Sequence, residues 1–164
     1  MKPRTRARSV ALQVLFETDI VEHSPGNALE ARLEESLLEP KLVEFTHKIV
    51  FGVFPLKDRL DSFIAEHAPE WPLAQVAIID RNILRIALWE FAVFGETPIK
   101  VAINEAIELA KTFGSDSAPR FVNGVLGSLA ARQNEIRQAF RIEHQALQQT
   151  PPSIQNPSED LPTP

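Results

Sequence analysis

Cysteine is absent from the 164 residues, which excludes a disulfide framework, a thiolate metal site and a cysteine nucleophile. No uninterrupted apolar run approaches the roughly 20 residues needed to span a bilayer. The charged N-terminus lacks the apolar core of a signal peptide, so the expectation is a cytoplasmic protein with no membrane partner. Catalytic signatures are missing too: there is no glycine-rich phosphate loop, GxGxxG fingerprint, GxSxG elbow or HExxH helix. His23, His47, His67 and His144 stand at spacings that suit no metal cage and read as ordinary surface or half-buried residues. Glu105 and Glu108 could be imagined as an acid/base pair, but a solvated helix face accounts for them. The expectation is a protein that is not an enzyme, with no catalytic residues, metal or cofactor.

Sustained apolar/polar alternation is also lacking, so half-buried strands are not expected. With 44% hydrophobic residues the chain has material for one soluble core, and its periodicity predicts an all-α, compact bundle of about six or seven helices. The first should start between Thr5 and Ser9 and run to about Val21, stopped by Ser24-Pro25-Gly26. Asn27 with Glu30 forms a capping-box-like start for a second. From Lys41 to His67 the apolar positions keep helical spacing, with a kink expected at Gly52 and Pro55. Pro69 and Pro72 bracket Trp71 in a turn, and another helical pattern runs from Ala74 to Phe94, ended by Gly95. Residues 150–164 hold five prolines and almost no apolar side chain, which predicts a disordered tail. The expected division is therefore a basic arm over 1–8, a helical domain over 9–149 and the tail.

The stretch from Thr97 to Arg132 reads as two further helices. Thr97 can cap the first, Pro98 fits its first position and Gly114 can end it in a left-handed conformation. Ala102, Ile103, Ala106, Ile107, Leu109, Ala110 and Phe113 form the buried stripe, while Lys100, Glu105, Glu108 and Lys111 face solvent. Ser115, Asp116 or Ser117 can cap the second, where Phe121, Val122, Val125, Leu126, Leu129 and Ala130 repeat the period. Asn123-Gly124 is a strong hairpin signal in isolation, but the unbroken period argues for helix. Gly124 and Gly127 then suit a close helix crossing, with backbone access for a ligand as the alternative.

The net charge of −5 hides an asymmetry. Lys2, Arg4, Arg6 and Arg8 place four cations and no acid in the first ten residues, and the segment that follows, to Glu44, carries eight acids against two bases. Such a basic end can neutralise phosphates and release counterions, or it can be a merely solvated terminus. Single-stranded RNA is held by aromatic rings beside basic groups, and Phe16 and Arg120-Phe121 are the basic-aromatic candidates. Read from the residues alone, both rings suit the core better.

KVAINEAIELAKTFG, followed six residues later by RFVNGVLG, resembles the signature of the NusB family of bacterial transcription antitermination factors. RARSVALQVLF and ILRIALWE fall in the order that family shows, and the resemblance covers roughly residues 2 to 135. It implies binding of the boxA element of ribosomal RNA leaders through Lys2, Arg4, Arg6, Arg8, Arg120 and Phe121. Phe16 stands where many relatives have tyrosine, which keeps stacking and removes a hydroxyl. The resemblance also implies binding of the small-subunit ribosomal protein NusE through the helix containing IIDRNILR. Asp80 and Arg81 would then be rim residues; otherwise they are a surface charge pair worth under about 1 kcal/mol.

The function so implied is an RNA-binding factor that, with NusE, loads boxA RNA onto elongating RNA polymerase and promotes processive transcription of ribosomal RNA operons. Two alternatives are a NusB-like RNA-targeting domain related to RNA methyltransferases, disfavoured by the lack of a nucleotide-binding motif, and a protein-interaction scaffold without RNA binding.

Overall fold

A computed structural model describes residues 1–149; the expectation for the tail falls outside them. Eight α-helical segments follow one another: α1 (Pro3–Ile20), α2 (Pro25–Ser36), α3 (Pro40–Val53), α4 (Lys57–His67), α5 (Ile78–Leu88), α6 (Ile99–Phe113), α7 (Ala118–Ala130) and α8 (Gln133–Gln149). Short 3₁₀ turns occupy Phe54–Leu56 and Leu73–Gln75, and α5 runs on without a break into a π-helical stretch, Trp89–Phe94. Counted as one kinked rod, α3 and α4 give seven helices, and among the described residues there is no strand. No helix among those residues is long and apolar enough to cross a membrane.

Proline sets several starts. Pro3, Pro25 and Pro40 each occupy a first helical position, where the missing N–H costs nothing and φ is already suitable. Ser24 rather than Asn27 caps α2, its hydroxyl accepting from the Asn27 N–H at 3.2 Å. Ser24-Pro25-Gly26 thus opens a helix instead of only stopping one. At Gly95 the backbone takes φ +73° and closes the π-helical turn, its N–H donating to the Glu90 carbonyl at 3.0 Å. Gly114 behaves differently from expectation: at φ −91° and ψ 179° it is extended. Thr97 caps nothing, because its hydroxyl is drawn inward to Glu90 and α6 starts at Ile99 behind Pro98.

The middle of the bundle is α5. It packs against α1, α4, α6 and α7, and nearly every side chain from Asn82 to Ala92 is buried. A helix enclosed on all sides must satisfy its polar groups internally. Arg85 does so through Asp61, at 2.7 and 2.6 Å, and Asp19, at 2.7 Å, tying α5 to α4 and α1. The same helix α4 is fixed to α8 by the Arg59–Glu143 pair in its first turn and by Phe63 against Phe140, whose ring centres are 4.4 Å apart.

The expected kink between α3 and α4 is present, and its two residues have separate duties. Pro55 sits in the 3₁₀ turn, whereas Gly52 makes room for Trp89: a Cβ there would lie 2.3 Å from the indole ring. Trp89 is also stacked on Phe94 at 4.9 Å, so it has little freedom to retreat. Gly52→Ala is expected to destabilise the fold by about 1 to 3 kcal/mol, the cost of overpacking, read by chemical denaturation with α-helical content retained in the folded state.

Candidate nucleic-acid interface

The basic residues of the N-terminus belong to α1 itself. The helix begins at Pro3, earlier than expected, because its first two turns are tied down from inside. Thr5 donates its hydroxyl to Glu105 Oε2 at 2.7 Å, and the Ser9 hydroxyl donates to the Thr5 carbonyl at 2.9 Å. Arg8 is 2% exposed and its guanidinium grips Glu90, itself 1% exposed. Arg8 Nε donates to Oε2 at 2.9 Å and Nη2 to Oε1 at 2.7 Å. Glu105 lies 3.5 Å from Arg8 Nη1, and the Thr97 hydroxyl donates to Glu90 at 3.0 Å.

Arg8 is therefore no free phosphate ligand, and the resemblance misleads at that position: a buried charge needs its counter-ion where it lies. Lys2, Arg4 and Arg6 remain exposed. Arg4 lies over the Phe45 ring of α3, 4.5 Å from its centre, a cation–π contact that orients the charge without neutralising it. Arg6 Nη2 donates to the Ser36 carbonyl at 3.1 Å.

The start of α1 crosses the C-terminal half of α6. Lys2 and Thr5 share a hollow with Asn104, Glu105, Lys111 and Thr112. Four residues after α6 ends, α7 opens with Ala118, Pro119, exposed Arg120 and half-buried Phe121. Lys2 and Lys111 border that hollow, and exposed Arg120 stands on the opening turn of α7. Phe16 is not with them: it is half-buried on α1, about 18 Å along the axis from Arg4 at the usual rise per residue, and it does not line that hollow.

Phe121 packs edge-on against Trp71, ring centres 5.3 Å apart at 82°. The expected helix crossing at Gly124 is a ring contact instead, since a Cβ there would lie 3.2 Å from Trp71. Gly127 faces open space. Asp80 departs most from expectation: it is 7% exposed, so it cannot serve as an exposed rim charge. Arg81 is half-buried, with Nη2 donating to the Leu73 carbonyl at 2.9 Å. The cause is the enclosure of α5, where a position beside the apolar stripe meets α6 and α7 rather than solvent. Burial raises the Asp80 pKa, and its Oδ1 has no hydrogen-bond partner.

With this geometry in place, similarity to known proteins becomes specific. The model of the NusB family matches residues 5–131. The chain belongs to the NusB family. Transcription antitermination protein NusB of Roseiflexus sp. (strain RS-1) is 48% identical over 136 residues, covering 82% of this chain and 96% of the relative. Its counterpart in Bacillus subtilis (strain 168) is 44% identical over 129 residues, 79% of this chain and 95% of that one. Among solved structures, T. maritima NusB superposes with TM-score 0.69 at 29% identity, covering 84% and 92% of the two chains. A crystal structure of antitermination factors NusB and NusE in complex with dsRNA gives 0.70 at 25% identity, covering 85% and 98%.

Within this NusB-family framework the residues missed by pattern reading are Glu90, Glu105, Phe45 and Trp71. Glu90 was open to discovery, because a single acid in the apolar run ILRIALWEFAVF needs a buried cation. Glu105 was read as solvent-facing, yet it bonds Thr5 and Arg8; only Glu108 is exposed, paired with Lys111 at 3.2 Å. His67 is more buried than expected, its Nδ1 against the Phe63 carbonyl at 3.0 Å.

Two outcomes are expected. Arg8→Ala leaves Glu90 buried without its cation and should cost about 3 to 5 kcal/mol of stability, whereas Arg8→Met with Glu90→Leu should recover much of that loss in denaturant titrations. Asp80 holds its proton to higher pH in the folded chain than in the unfolded one, so its ionisation opposes folding. That penalty is absent below about pH 4, the ordinary aspartate range, and complete above the raised folded value. Asp80→Asn should therefore melt higher than the parent at neutral pH, with the two curves converging toward pH 4.

Proposed function

We propose that this chain is an RNA-binding transcription antitermination factor that engages boxA-type RNA together with a NusE-type ribosomal protein. It then sustains processive transcription by RNA polymerase on ribosomal RNA operons. It acts in the cytoplasm by assembly, without chemistry. The observation that supports the RNA part is that exposed cations stand at two helix openings: Lys2, Arg4 and Arg6 on α1, and Arg120 beside the half-buried ring of Phe121 on α7. The opening turn of α7 adds N–H groups and a dipole that favour an anion. Cations settle on phosphates, and an aromatic ring beside them takes a base.

The roles divide accordingly. Lys2, Arg4, Arg6 and Arg120 contact phosphates, Phe121 stacks, and Arg8 holds the first turns of α1 in place. Phe16 is an additional ring further along α1. Arg81 contributes to the charged rim of the protein contact on α5, while Asp80 acts from inside the surface. The antitermination reading is supported by relatives of that name matched over nearly their full length, which speaks against an RNA-targeting domain detached from a methyltransferase.

The test is a salt titration of binding to single-stranded boxA-like RNA. Replacing Lys2, Arg4 and Arg6 together by Gln should reduce the magnitude of the log–log salt slope by about 2, roughly 0.7 for each lost phosphate contact. Melting temperature should hardly change, since none of the three is in the buried network. An unchanged slope would remove the α1 opening from the interface.

A further inference from the structure

The apolar seam of α8 outruns the part of the bundle that covers it. Ile136, Phe140, Glu143 and Leu147 follow one another at steps of four, three and four residues, the spacing of a single helix face. Ile136 and Phe140 are buried, and Glu143 is committed to Arg59 of α4. Arg137 fixes the helix to the π-helical stretch, its Nε donating to the Phe91 carbonyl at 2.8 Å. Leu147, the last member of the seam, is nevertheless 76% exposed.

Leu147 borders an open hollow of about 340 Å³. Leu56 of the 3₁₀ turn after α3, Val93 of the π-helical stretch and Phe140 of α8 make the rest of its wall apolar, and Arg141 and His144 are exposed polar members of the lining. A recess of this kind takes an aliphatic side chain. Charge narrows the choice of what supplies it. The acid in the wall, Glu143, is already paired, whereas Arg141 has no acid beside it among the described residues. The matching segment brings an aliphatic group and a negative charge a few residues away.

Such a segment is attached next to the hollow. Residues 150–164, outside the described ones, follow Gln149 directly and read TPPSIQNPSEDLPTP, with Ile154 and Leu161 as the bulky apolar residues and Glu159 and Asp160 as the acids. Pro151 and Pro152 are poor continuations of a helix and favour an extended chain. Five residues on from Gln149, Ile154 can lie up to about 16 Å away in such a chain, and Phe140 is about 13 Å back along α8. The reach therefore covers the hollow.

We propose that this hollow is the docking site of the chain's own C-terminal segment. Ile154 seats against Val93, Phe140 and Leu147, and Glu159 and Asp160 lie toward Arg141. The contact is intramolecular, so a short tether holds the segment at an effective concentration of about a millimolar, and a weak interaction is enough to fill the recess. The prolines lessen the entropy lost when the segment is ordered.

The experiment compares the full-length parent with full-length Ile154→Asp and Arg141→Glu. Methyl resonances of Leu56, Val93 and Leu147 and amide exchange over residues 140–147 report on the hollow. The parent should exchange about tenfold more slowly there than Ile154→Asp, the effect of burying one aliphatic side chain less the entropy of ordering its segment. Arg141→Glu, which sets an acid against Glu159 and Asp160, should fall between the two. A synthetic peptide of residues 150–164 added to the Ile154→Asp chain should move the three methyl resonances back toward their parent positions, and the same peptide carrying Ile154→Asp should not. Parent and Ile154→Asp with the same methyl spectrum and the same exchange would overturn the proposal. Methyl shifts that grow with chain concentration and persist in Ile154→Asp would overturn it too, in favour of a second copy of the chain in the hollow.

Discussion

Glu90 and Arg8 meet in the interior from helices 82 residues apart in sequence, and much of the architecture on that side of the molecule follows from their need for each other. Glu90 stands on the π-helical stretch that ends α5; Arg8 stands on the second turn of α1. Neither charge has access to water, so each fixes the position of the other. Thr97 and Glu105 complete the cluster and thereby set where α6 begins and how α1 crosses it. The first two turns of α1, which would otherwise fray, become a rigid platform. The exposed cations on it inherit a defined direction from a pair that never touches solvent.

This division of labour between neighbouring arginines explains why charge counting along the sequence was only partly successful. Lys2, Arg4, Arg6 and Arg8 look equivalent in one dimension. In three, Arg8 belongs to the core, Arg4 lies across Phe45, and Lys2 and Arg6 face outward. The helices themselves were legible, because the apolar period and the break at Gly95 are local signals, although Pro25 reads as a stop and in fact opens α2. Even the Asn123-Gly124 pair was correctly placed inside a helix, since the period around it continued. What local signals lack is knowledge of which face is enclosed. Asp80 lies about 100° round the helix from Ile79, which suggests a rim only if the helix has an open side. Because the end of α6 and the start of α7 cover that side of α5, the same offset buries the carboxylate, while Ile78 in the same turn stays exposed. Glu105 was misjudged for a similar reason: the face of α6 left by α5 and α7 is covered by α1.

The enclosure of α5 also decides what the molecular surface can offer. Helices α1, α4, α6 and α7 surround it, so the features capable of contacting other molecules are concentrated at helix openings and at the turns between them. The segment from Pro69 to Ala77 is one such place. It carries Trp71 over Gly124 and sets the floor against which Phe121 rests. A surface of this kind is shaped by backbone turns and ring contacts more than by side-chain length, and it holds its form with few adjustable parts.

The tryptophans of the chain, two in number, divide its optical behaviour. Trp89 is 5% exposed, stacked on Phe94 and pressed against Gly52; its emission belongs to the dry interior and will move only when the bundle opens. Trp71 is half-buried beside a second hollow, at the start of α7, where water reaches one side of the ring. Excited together they emit from two different solvents, so the red edge of the spectrum follows events at the surface while the blue edge follows the core. The protein thus carries, without any label, separate reporters for the surface beside α7 and for unfolding of the core.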